Sequence, residues 1–150
     1  MTSVGPRVLR GLETATAGVV AGTLGGLPSI LHAIVTRRDP VEAVRAAGTL
    51  VASEDDAPGR LLAAGLVAHP VVSAAWALVL VPMLARRDRP VLVGACLGLA
   101  IGGLDRAIAV RGFPRLAALP LVPQLADHAA YGALVGLVVR HHRGRDPAHR

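Results

Sequence analysis

The chain alternates long uncharged runs with short charged clusters such as Arg37–Arg38–Asp39 and Arg86–Arg87–Asp88–Arg89. A helix needs about 20 mainly apolar residues to cross the hydrocarbon of a bilayer. Four runs reach that length, and they predict spans over about 15–36, 61–85, 91–110 and 116–139. The second holds no charge. The third is uncharged only as far as Leu104 and then meets Asp105 and Arg106. Pro120 and Pro123 open the fourth, so its regular helix is expected near Pro123, a residue suited to a helix's first position. Residues 37–60 form an interfacial loop in which Val41, Val44 and Val51 recur at helical spacing. A short helix resting on the membrane surface and a plain solvated loop both fit that window. Residues 140–150 are a basic tail. The pattern predicts an all-α, polytopic integral membrane four-helix bundle.

Glycines recur at intervals of four: Gly18, Gly22 and Gly26 in the first span, Gly94, Gly98 and Gly102 in the third, Gly132 and Gly136 in the fourth. Residues four apart share a helical face, so each series is a groove without side chains where two backbones can approach closely. The partner is a helix of this chain or of a second copy, which would make a homo-oligomer. "GTLGGLPSILHAIV" and "GLAIGGLDRAIAV" are alike, as are "LVAHPVVSAAW" and "LADHAAYGAL". Two repeated helical hairpins, each a glycine-ridged helix followed by a His-bearing one, are therefore one reading of the chain.

Composition reinforces the membrane reading. Hydrophobic residues make up 53%, aromatics 2%, and the mean hydropathy is +0.53. Soluble cores draw on aromatic side chains for buried area; here the apolar mass is Ala, Val, Leu and Gly. All 16 Lys-or-Arg positions are Arg, and the net charge is +6. No nucleic-acid motif accompanies that charge, and arginines flanking spans meet lipid headgroups and set orientation. The side of the N-terminus, middle loop and tail carries Arg7, Arg10, Arg86, Arg87, Arg89, Arg140, Arg143, Arg145 and Arg150. This small excess favours both termini in the cytoplasm of a cell (inner) membrane protein. No A-x-A cleavage site follows the first span, so it is expected to be a retained helix and not a signal peptide. The single Cys96 lies in an apolar run and forms no intrachain disulfide.

Ionisable groups inside spans default to functional hypotheses. His32, His69, Asp105, Asp127 and His128 all fall in the half of the membrane adjoining residues 37–60, with Ser29, Ser73, Gln124 and Arg106 able to join the same layer. Pro28 and Pro70, beside two of the histidine sites, could free backbone carbonyls there. Three roles suit such a layer: a polar network fixing helix register, a proton- or ion-linked pathway, or a haem or transition-metal site with His32, His69 and His128 as ligands. Neither HxxxH, HExxH nor CxxCH spacing is present, and no cofactor is expected. No nucleophile motif or phosphate loop points to an enzyme. Neighbours on a helix point about 100° apart, so of Asp127 and His128 only one can face the bundle centre; His128 is expected to do so.

The stretches "GGLPSILHA", "RAAGTL", "AHPVVSAAWALVL" and "LPLVPQLADHAAYGALVG" resemble small four-span membrane proteins of actinobacterial type, a group with no assigned activity. The resemblance implies fold and membrane location and brings no functional residues with it. The expected function is that of a transport-type or accessory membrane component, with a membrane redox module as the alternative.

Overall fold

The computed structural model describes residues 6–145, and every regular element among them is a helix. In chain order these are α1 (Pro6–Leu24), α2 (Leu27–Val35), α3 (Glu42–Gly48), α4 (Pro58–Leu84), α5 (Pro90–Gly112), α6 (Pro114–Ala117) and α7 (Leu121–Arg145). Three stretches are long and apolar enough to cross a membrane: Gly11–Val35, Pro58–Leu84 and Pro90–Gly112. The first of them is not one helix. "GGLP" interrupts it, because Pro28 has no N–H to continue the ladder and is accommodated only in the first turn of a new helix.

The fourth apolar run differs from the other three in its surroundings. α7 packs against α1, α2, α4 and α5, and between Pro123 and Val139 only Leu137 is exposed. A helix wrapped by its neighbours offers an Asp and a His partners on several sides. It starts at Leu121, two residues before the expected Pro123, which sits buried in its first turn. It also runs on through the tail as far as Arg145, while residues 146–150 lie outside the described residues.

Glycine decides how α5 meets α7. A Cβ on Gly98 would fall on the carbonyl oxygen of His128, one on Gly94 or Gly132 on the carbonyl of the other, and one on Gly136 on that of Pro90. The two antiparallel backbones are thus in contact over three turns, a separation only glycine permits. Gly18 and Gly22 lie against Ala74 and Ser73 of α4, where an added Cβ would stand 3.5 and 3.0 Å from the nearest atoms. Gly26 differs from the expected ridge: it lies in the α1–α2 break with open space around it, and Gly25 instead faces Tyr131. All the packed glycine faces are occupied inside the chain.

α1 pairs with α4 and α5 with α7, and the two pairs join through α7 on α1 and α2. The fully buried large side chains Leu80, Leu84, Val135 and Val139 gather in the half of the molecule nearest the α4–α5 turn. Residues 37–60 contain a helix, α3, which is clasped to α4, where Gly48 meets the carbonyl of Leu61 and Gly65 that of Val44.

Candidate functional site

The break in the first span leaves backbone groups without helical partners, and two polar side chains from other helices take them up. Pro28 lacks the N–H, and the next amide, that of Ser29, donates to Oδ1 of Asp127 on α7 at 2.8 Å. No side chain of α1 or α2 caps the start of α2, so Asp127 caps it from across the bundle, at the end where a helix dipole favours negative charge. On the other side of the break, His69 of α4 places Nε2 2.9 Å from the carbonyl oxygen of Gly22 near the end of α1. A carbonyl only accepts, so Nε2 carries the proton. Tyr131 adds a third tie by donating its hydroxyl to the carbonyl of Ser73.

His128 faces the opposite way, toward α5. Its Nδ1 lies 2.8 Å from the carbonyl oxygen of Gln124 and its Nε2 2.9 Å from Oδ2 of Asp105. Proton counting constrains this arrangement. The Gln124 carbonyl must accept from Nδ1–H, and the Nε2···Oδ2 bond then needs a further proton between two groups that are both acceptors in their basic forms. The pair is therefore an imidazolium on a carboxylate, or a neutral imidazole accepting from a carboxylic acid. In both forms it holds one proton more than a neutral imidazole beside a carboxylate. The side chains of His128 and Asp105 are 28% and 37% exposed, so the pair is only partly enclosed by the apolar helices around it.

Beside these groups lies a vestibule, a cavity of about 200 Å³ between α2, α3, α6 and the start of α7, lined by Ser29, His32, Arg38, Glu42, Arg115 and Gln124 among others. Ser29 and Gln124 join this vestibule directly to Asp127 and His128 through the bonds above. Its outer wall is a charged clamp. The Arg115 guanidinium grips Glu42 with two bonds, Nε–Oε1 at 2.8 Å and Nη2–Oε2 at 2.9 Å, while its amide donates to Glu54 at 3.0 Å. Glu42 raises the Arg115 pKa above its ordinary value. Asp39 is paired with Arg45, and the Val41 amide followed by Arg45 holds its carboxyl below the ordinary range. Arg106 turns outward to the Ala117 carbonyl.

The five residues expected in one layer therefore divide three ways. His69 and Asp127 serve the broken span, His128 pairs with Asp105, and His32 lines the vestibule wall. The metal alternative needed His32, His69 and His128 on one ion. Among the described residues no three His, Cys, Asp or Glu side chains gather in that way, because His69 and His128 point to different neighbours. Sequence reasoning missed the Glu42–Arg115 clamp, whose partners are 73 residues apart and carry no local signal. The break itself was signalled, by "GGLP". Set against known proteins, the chain matches no family model, no curated protein and no solved structure.

Proposed function

We propose that the chain is a small four-span protein of actinobacterial type in the cell (inner) membrane, with α7 as its central fourth span and both termini in the cytoplasm. We further propose that it acts as a transport-type component in which His128 and Asp105 exchange a proton with the vestibule. The observation that carries this reading is the 2.9 Å contact between His128 Nε2 and Asp105 Oδ2, made while Nδ1 also faces a carbonyl, an arrangement that calls for a proton between the pair. Loss of that proton leaves one ring N–H for two acceptors, so a nitrogen lone pair then faces either the Asp105 carboxylate or the Gln124 carbonyl and one of the two bonds is lost. His128 sits where α5 and α7 have no slack: its carbonyl abuts Gly98, and a Cβ on Gly102 would stand 3.0 Å from its ring. Deprotonation thus acts on one of the closest helix contacts among the described residues. Two further features support the reading. Broken spans near the midplane accompany transport sites in membrane proteins, and the half beyond the polar layer is filled by Leu80, Leu84, Val135 and Val139, so the vestibule leads in from one side.

The experiment is a proton-flux assay on the full chain in liposomes, with thermal stability measured in parallel. His128→Gln and Asp105→Asn each lower flux at least tenfold, and the double variant is no slower than either single one. Wild-type flux in both variants with lowered melting points would overturn the transport reading. It would favour the accessory one, in which the layer only fixes helix register. That second reading draws on the bonds of His69 and Asp127, both used in joining α1 to α2.

A further inference from the structure

The opposite end of the molecule is built differently. Arg86, Arg87 and Arg89 in the α4–α5 turn and Arg140 and Arg143 on α7 form no ion pair among the described residues, nor does Asp88 between them. At the vestibule end Arg45, Arg60 and Arg115 are paired with acids and Arg106 and Arg111 with carbonyls, and only Arg37 and Arg38 there form no ion pair or side-chain hydrogen bond among the described residues.

The α5–α7 register explains why the unpaired arginines converge. Gly132, Gly136, Arg140 and Arg143 lie on one face of α7, four, four and three residues apart. Gly136 lies on Pro90, the first residue of α5. The same face therefore continues past the start of α5 and brings Arg140 and Arg143 to the turn. Arg143 makes the contact, donating from Nη1 to the Arg87 carbonyl at 2.8 Å. Five like charges on two touching elements repel one another unless an anion lies among them. Three residues inward of Arg86, Arg89 and Arg140 along the chain, the apolar side chains of Met83, Leu92 and Leu137 are 45%, 58% and 42% exposed.

We propose that this end binds an anionic phospholipid, with the headgroup phosphates among the five arginines and the acyl chains along Met83, Leu92 and Leu137. Five cations on two elements suit a lipid carrying two phosphates. The apolar wall selects a lipid over a soluble anion, and the site is independent of the vestibule.

The test is lipid retention by the purified full-length protein in detergent, read by native mass spectrometry during titration with cardiolipin or phosphatidylcholine. Cardiolipin is held about tenfold more tightly or better, since each arginine near a lipid surface adds measurably to binding. Arg86→Gln, Arg89→Gln and Arg140→Gln together remove most of that preference; none of these side chains makes a hydrogen bond among the described residues. Arg37→Gln with Arg38→Gln, at the other end, leaves the preference within about twofold. Equal retention of both lipids would overturn the proposal. So would an equal loss in the Arg37/Arg38 variant, or displacement of cardiolipin by inorganic phosphate at matched phosphate concentration.

Discussion

The Ser29 amide donates to Oδ1 of Asp127 across 2.8 Å, so an acid on α7 caps α2 through an amide 98 residues earlier in the chain. His69 does the complementary work on the far side of the same break, at the Gly22 carbonyl. In a bilayer no water replaces a lost backbone partner, and each unsatisfied group costs several kcal/mol. Two residues that look misplaced in apolar sequence are thus explained by a proline elsewhere. The remaining polar pair, His128 and Asp105, serves no backbone gap of that kind, which is why the proposed chemistry rests on it.

Substitution at Asp127 separates these roles. Asn keeps an oxygen that can accept from Ser29, so Asp127→Asn costs about 1 kcal/mol or less, whereas Asp127→Leu leaves the amide unpaired and costs about 1–3 kcal/mol. Thermal unfolding in detergent checks this: a small shift for Asn and a fall of several degrees for Leu. Proton flux is retained in the Asn variant.

The α5–α7 contact is predicted to be intolerant of a single methyl group. Gly98→Ala places its Cβ on the His128 carbonyl, and the strain costs about 1–3 kcal/mol. Gly26→Ala and Gly103→Ala, where nothing lies within 4 Å of the added carbon, change stability by no more than about 1 kcal/mol. Melting points of the three variants, compared side by side, test the packing directly.

The Asp39–Arg45 pair at the rim of the vestibule is predicted to fail in acid. The Asp39 carboxyl is held below its ordinary 3.8 by the Val41 amide and Arg45. A group whose folded pKa is depressed contributes fully above its unfolded value, and that contribution disappears as pH falls through the folded one. Amide exchange over residues 41–48, corrected for intrinsic rates, should therefore stay slow at neutral pH and speed up below 3.8. Asp39→Asn speeds it already at neutral pH. Arg115 is shifted upward by Glu42, so its contribution is constant through the neutral range.

Much of this fold was legible because lipid imposes a simple rule on composition. Uncharged runs located the three apolar stretches to within a few residues, and charged clusters located the turns. The boundaries that moved were those at prolines. Pro28 ends one helix and begins another inside the first run, and Pro123 fits inside a first turn as well as at its start. The clustering of polar residues in one half could be read from depth along each helix. Their division among tasks could not, because Ser29 takes part through its amide and Gln124 and Gly22 through their carbonyls. Backbone groups carry no sequence signature. The Glu42–Arg115 clamp was hidden for a different reason: opposite charges in two loops pair only once the fold has chosen which loops meet.

The central claim is that water reaches the polar layer from one side only. Gln124→Cys in a Cys96→Ala background tests it, using a membrane-impermeant thiol reagent applied to either face of sealed vesicles. Position 124 lines the vestibule, and its carbonyl holds His128; Leu134→Cys, packed against the apolar core, is the control. Labelling of position 124 from the side of α3 and α6 alone, with position 134 protected from both, is the predicted result. Failure of position 124 to react, or reaction from the side of the α4–α5 turn, would contradict the account.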